Sequence, residues 1–199
     1  MKAFQYFCWL WLGLYLSYNT QAQEATQYRD LYLAARKKVV AKDYEAALAL
    51  YDQSIKKMPY YPAVYQERAD VKMLLEDYQG AIADYSHVLD KKPYLIKPLR
   101  GRGIAYYFLD NPVAAKADLE KYVKENDNDT EAKSYLSQAQ ADVAEIERQR
   151  AMQENERQQR LAAYQQELAL RRQAEIRYYR SVYYWYVAVP YTFCYIRYY

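Results

Sequence analysis

The chain has 199 residues, a formal net charge of +3, four glycines, two cysteines and one histidine. So slight a basic excess does not supply the phosphate-neutralising surface of a nucleic-acid binder, and the four glycines form no glycine-rich phosphate loop. A single histidine, His87, with no second histidine or cysteine near it, gives no metal-ligand spacing.

Residues 1–22 read as a secretory signal peptide. Lys2 provides the positive start, Phe4 to Leu16 is a 13-residue apolar run, and Thr20-Gln21-Ala22 ends in a small residue suited to cleavage. The run is shorter than the ~20 apolar residues of a spanning helix; retention as a membrane anchor is the other reading. Cys8 has no small residues before it of the kind a lipoprotein cleavage site requires, which argues against a lipid anchor. Cleavage leaves a net charge of +2 and implies an exported chain: periplasmic, at the cell surface or secreted. Cys194 is then the remaining cysteine, either an unpaired thiol among aromatics or half of an intermolecular disulfide.

From residue 28 the chain repeats at an interval of 34. Ala47, Ala81 and Ala115 keep that spacing, as do the small residues Ala35, Ala69 and Gly103, and Tyr51, Tyr85 and Leu119. Pro59 and Pro93 share it, with Asp127 at the next step. A period of this size implies a stacked helix–turn–helix array. Neither helix of a unit can bury its apolar face alone; the small residues let backbones approach, and the prolines end helices. Asp43, Asp77 and Asn111 stand where N-caps of the second helices are expected.

Thr130 to about Arg177 is helix-forming, and Ala132, Leu136, Ala139, Val143 and Ile146 share one face. That stripe is expected to cap the third unit. ERQRAMQENERQQR beyond it is polar all round, and Leu161, Tyr164 and Leu168 renew a short seam, read as a solvated extension or a small coiled-coil contact. In the tail, 178–199, eleven of 22 residues are Tyr, Trp or Phe. Its aromatic and β-branched content suits an extended strand that pairs with a partner's sheet edge. The same rings, flanked by Arg180 and Arg197, suit a membrane interface, and a fold-back onto the repeats is the third reading. Pro190 argues against a spanning helix there.

The segments AKDYEAALALYDQSIKKMP (41–59), LEDYQGAIADYSHVLDKKP (75–93) and LDNPVAAKADLEKYVKEND (109–127) resemble second helices of tetratricopeptide repeats (TPR), with first helices at 28–40, 62–74 and 96–108. Repeat two carries the signature most fully, at Tyr65, Ala69, Tyr78, Ala81, Tyr85 and Pro93. The third has Pro112 where the others have Tyr44 and Tyr78, which predicts an irregular turn. The resemblance implies an all-α TPR solenoid: three repeats within 23–129 (about 28–61, 62–95 and 96–129), a capping and extended helix over 130–177, and the aromatic tail.

In the family, first helices line a concave face that grips a peptide or partner helix. Carried over by position, the candidates are Arg29, Tyr32 and Arg36; Gln66, Asp70 and Met73; and Lys97, Arg100, Ile104 and Tyr107. Arginine can hold a carboxylate with two hydrogen bonds, while Tyr and Met give adaptable apolar contact. An acidic or C-terminal peptide with an apolar anchor is the implied ligand class. A subgroup clamps chaperone C-termini with a lysine, asparagine and arginine set; here Tyr32, Arg36, Glu67 and Gly101 stand at those positions and Lys97 alone matches. His87 is expected at an exposed helix position, Gly103 to serve close packing, and no serine sits on a sharp strand–helix turn. The sequence therefore describes an exported, non-enzymatic adaptor without cofactor or metal. The alternative is a membrane-surface structural component held by the aromatic tail.

Overall fold

The computed structural model describes residues 26–188. The signal-peptide reading, both cysteines, Pro190 and the end of the aromatic tail lie outside the described residues. The described chain is helical throughout: α1 (26–40), α2 (Tyr44–Lys57), α3 (Pro62–Leu74), α4 (Tyr78–Lys91), α5 (Lys97–Phe108), α6 (Pro112–Glu125) and α7 (Thr130–Tyr183), with a π-helical turn over Tyr184–Ala188. Two compact units divide it, one ending at Val143 and the other starting at Ala144.

In the first unit the helices pair as α1/α2, α3/α4 and α5/α6, each pair packing on the next. The columns of small residues lie where helices come closest: Ala35, Ala47, Ala69, Ala81 and Ala115 have no exposed surface. At Gly103 an added Cβ would stand 2.8 Å from Leu119 Cγ, so the position has no room for a side chain. Gly101, to which the sequence assigned no packing role, is as constrained, because a Cβ there would stand 2.3 Å from Tyr85 Cζ and 2.4 Å from its hydroxyl. Tyr51 and Leu119 are fully buried and Tyr85 nearly so. They fill the gaps that small neighbours leave.

Helix ends follow local chemistry. Pro62 and Pro112 open their helices and Pro98 lies in the first turn of α5, where a missing N–H costs no intrahelical bond. Asp77 accepts from the Gly80 N–H (2.9 Å) and Asn111 from the Ala114 N–H (3.2 Å), as N-caps do. Asp43 differs from expectation. It makes no cap bond and instead accepts from Lys38 Nζ at 2.6 Å.

The turn into α6 is not irregular, contrary to the expectation from Pro112. All three intra-repeat turns have one backbone geometry, with Lys42, Glu76 and Asp110 at φ 58°, 60° and 54°. In each, the N–H of that residue bonds back three residues and the next N–H bonds back five: Lys42 to Val39 and Asp43 to Lys38, then the same from Glu76 and Asp77, and from Asp110 and Asn111. This is the Schellman termination, whose left-handed residue is commonly glycine. Pro112 fits because it follows the turn, at a position whose N–H is not needed.

The period also continues into α7. Thr130 lies 34 residues after position 96, and Ala132, Ala139 and Val143 are buried, the two alanines in one cluster with Leu99, Leu119 and Tyr122. The start of α7 thus occupies the place of a fourth first helix and covers the third repeat. The tail's opening residues are not extended, as one reading held: Tyr178–Tyr183 continue α7. Uninterrupted Ala, Glu, Gln, Arg and Leu upstream carry the helix through them, since propagation costs little once a helix is nucleated.

A non-glycine residue in the left-handed region costs roughly 1–2 kcal/mol, partly offset on substitution by glycine's larger unfolded-state entropy. Lys42→Gly and Glu76→Gly are each expected to stabilise the chain by about 0.5–1 kcal/mol in urea unfolding. Gly101→Ala is expected to destabilise it by about 1–3 kcal/mol through overpacking against Tyr85. A destabilised glycine variant, or a neutral alanine, would contradict this account of the turns and of the helix contact.

Candidate functional site

The ten candidate residues do not form one open groove. Arg36 of α1 and Asp70 of α3 come together on a cavity of about 280 Å³, lined also by Val39, Val40, Tyr51, Glu67, Val71 and Leu74. Val40 and Leu74 are 86% and 58% exposed, so apolar surface opens to solvent beside two carboxylates and a guanidinium. Arg29 and Lys97 are exposed, and Gln66 is half-buried, outside this cavity.

Met73, Arg100, Ile104 and Tyr107 are committed elsewhere, which corrects the sequence reading. Ile104 is 5% exposed and belongs to the core, with Met73 packed against the same cluster. Arg100 Nε donates to Asp129 Oδ2 (2.7 Å) and Nη2 to Glu131 (2.5 Å), both beside the start of α7. Tyr107 donates to Gln138 (2.8 Å) and its ring meets Tyr135 at 5.2 Å between centroids. The cause is tertiary: α7 covers the α5 face that a free third repeat would present. His87 is likewise half-buried rather than exposed, its ring stacked on Tyr65 with centroids 4.0 Å apart.

At the cavity, Glu67 accepts hydrogen bonds from Tyr32 (2.5 Å) and Tyr51 (2.8 Å), and Arg36 Nε lies 3.4 Å away. Burial and the bond to Glu67 push the Tyr32 hydroxyl up to about 12, and burial pushes Tyr51 further up. Arg36 keeps a 57% exposed side chain, its guanidinium 5.9 Å from the Tyr32 ring centroid. Its fork is therefore held in place yet open to a ligand. Asp70 accepts from Tyr85 (2.5 Å); burial raises its carboxyl pKa, and the Tyr85 bond opposes that shift without reversing it.

A second polar arrangement escaped the sequence reading although its signal was periodic. Arg68 donates from Nε (2.8 Å) and Nη2 (2.5 Å) to the buried Asp84, and 34 residues on Arg102 donates to the buried Asp118 at 2.7 and 3.0 Å. Arg68 also reaches Asp52, and Arg102 reaches Ser86, another pair at the same interval. In repeat one the matching positions are Ala34 and Leu50. These pairs tie the helices of repeats two and three together, and no buried side-chain nitrogen or oxygen among the described residues lacks a partner. Among those residues no cluster of three or more His, Cys, Asp or Glu is placed to hold a metal ion.

Stacked pairs of antiparallel helices at this interval define a helix–turn–helix solenoid, and the solved structures similar to the chain have the tetratricopeptide-repeat fold. No family model and no curated protein matches the chain. The first TPR of Spaghetti (RPAP3), bound to the HSP90 peptide SRMEEVD, is 23% identical with a TM-score of 0.56, over 60% of this chain and 94% of that one. The TPR domain of Sgt2 from Aspergillus fumigatus is 21% identical, with a TM-score of 0.54 over 61% of this chain and 82% of that one. A tetratricopeptide repeat protein from Parabacteroides merdae is 22% identical, with a TM-score of 0.52 over 61% and 48%. The fold of the described repeats is that of a TPR solenoid.

Asp129, also missed from sequence, caps α7. Its Oδ1 accepts from the Ala132 N–H (2.9 Å) and its Oδ2 from Arg100 and Tyr122. The Ala132 N–H above all, aided by Arg100 and Tyr122, holds its carboxyl at about 2. A carboxylate depressed on folding stabilises above its unfolded value of about 3.9 and loses that contribution as pH falls through the folded value. Asp129→Asn keeps a capping side chain but not the charge. Its melting temperature is expected to lie below that of the parent at pH 5 and to converge on it as pH approaches about 2. A gap that stays constant across this window would contradict the assignment.

Proposed function

We propose that the chain is a protein-interaction adaptor that takes a peptide segment of a partner at the α1–α3 cavity. One observation carries the reading: Val40 and Leu74 leave apolar surface open to solvent beside the exposed fork of Arg36. An apolar anchor would enter between Val39, Val40, Val71 and Leu74. A carboxylate next to it would meet Arg36, with Arg29 and Lys97 adding positive potential on the exposed first-helix surfaces. The TPR neighbours bound to HSP90 and HSP70 peptides support a ligand of this class. Chaperone tails themselves are disfavoured, because two of the positions concerned hold Tyr32 and Glu67, bonded to each other at 2.5 Å.

We place the protein outside the cytoplasm, on the strength of the N-terminal segment's composition, and assign it no catalysis of its own. The alternative, a membrane-surface structural component, draws on the exposed aromatics of Tyr178–Tyr186. Among the described residues no helix is long and apolar enough to cross a membrane.

The test is crosslinking capture from the native envelope with Leu74→Asp and Arg36→Ala. Both side chains are mostly exposed, so folding should be unaffected by circular dichroism. A partner held by the parent is expected to weaken about tenfold or more with Leu74→Asp, as for a lost apolar anchor, and less with Arg36→Ala. Arg100 is unsuitable for this test because its removal would loosen α7. Capture unchanged by both substitutions would overturn the reading.

A further inference from the structure

From Glu147 to Tyr186 every residue except Val182 is exposed, so this helix buries almost none of its side chains among the described residues. Its first part needs no partner. It is polar all round, with ion pairs along its own surface: Arg148 to Glu145 at 2.6 Å, Arg157 to Glu154 and Arg160 to Glu156, each at 3.7 Å. From Leu161 the chemistry changes. Leu161 and Leu168 are each 46% exposed, Tyr164 59%, Tyr178 64% and Trp185 70%.

Leu161, Tyr164, Leu168, Arg171, Glu175, Tyr178 and Val182 follow one another at alternating spacings of three and four, the phase of a coiled-coil seam, and Trp185 follows in the π-helical turn just past α7. The continuation of α7 to Tyr183 extends the seam past its charged centre to Tyr178 and Val182, which a helix ending at Arg177 would lack. From Leu161 to Val182, at about 1.5 Å per residue, it runs about 32 Å.

We propose that the seam pairs antiparallel with the same seam of a second copy of this chain. Orientation follows from charge. Parallel pairing would set Arg171 against Arg171 and Glu175 against Glu175. An antiparallel two-fold centred at residue 173 instead sets Arg171 of each copy against Glu175 of the other, so one substitution site is tested twice by symmetry. The same register places Leu168 against Tyr178 and Tyr164 against Val182, so apolar meets apolar on both sides of the centre. Arg171 already lies 2.7 Å from Glu167 on its own helix, and the incoming Glu175 would share that guanidinium. Arg172 would meet its own copy at the exposed rim, where salt screens the repulsion.

Sedimentation of the full chain, up to millimolar concentration, tests the pairing. A reversible dimer is expected, weakened about tenfold or more by Arg171→Glu, which sets like charges together twice, and restored by Arg171→Glu with Glu175→Arg. Orientation is read by oxidation in a Cys8→Ser, Cys194→Ser background. Leu168→Cys with Tyr178→Cys is expected to crosslink between copies, whereas Leu168→Cys alone is not. Four results would overturn the proposal: a monomer at every concentration, a dimer indifferent to Arg171→Glu, efficient crosslinking by Leu168→Cys alone, or a monomer that sediments with phosphatidylglycerol vesicles through these residues. The last would assign the face to lipid.

Discussion

Close approach of helix backbones at the small-residue columns is the constraint on which the repeat unit rests. Ala35, Ala69 and Gly103 on first helices, and Ala47, Ala81 and Ala115 on second helices, are all buried at contacts between helices. Side chains of any size there would separate the helices and expose Tyr51, Tyr85 and Leu119, whose bulk fills the space beside them. A packed interior tolerates little change of volume, so the alternation of very small with very large residues fixes both the distance between helices and the interval at which it recurs.

Polar groups within the solenoid position the helices more than they hold them together. A buried ion pair gains Coulomb energy but gives up hydration, and its net contribution to stability is small, whereas removal of one partner strands a charge. Arg68–Asp84 and Arg102–Asp118 therefore act as registers that tolerate only the paired arrangement. Repeat one does without the pair. There Glu67 of the following repeat gathers Tyr32, Tyr51 and Arg36, and the cavity opens beside that cluster. At the other end Asp129 links the cap of α7 to Arg100 and Tyr122, so the helix that covers the third repeat is fastened where it begins. The third repeat's end is thus covered, while the cavity with its exposed apolar lining lies toward the start of the array.

The second unit is organised by a different rule. Its polar stretch is a helix satisfied by its own ion pairs, and its aromatic stretch is a helix with apolar surface left over. The two stretches follow one another along one uninterrupted helix, with no turn or linker between them.

Much of this was legible in the sequence. The 34-residue columns gave the repeats, Asp77 and Asn111 the caps of their helices, and Ala132, Ala139 and Val143 the buried face of the cap, because these depend on spacing and local backbone preference alone. The periodic Arg–Asp pairs were equally visible, but a charged residue on a helix is ordinarily solvated, and only the packed structure shows Asp84 and Asp118 buried. Which first-helix surface stays open was not legible. Position within a repeat assigned Arg100, Ile104 and Tyr107 to a groove, and tertiary contact with α7 took them for the core and the cap. The turn before Pro112 shows the converse, since its regularity lies in left-handed backbone at Asp110 that residue identity does not announce. The sequence by itself determined the repeat and its helices, through periodicity and short-range preference. Which side chains remain free to act was decided by tertiary structure, since exposure depends on what a distant segment covers.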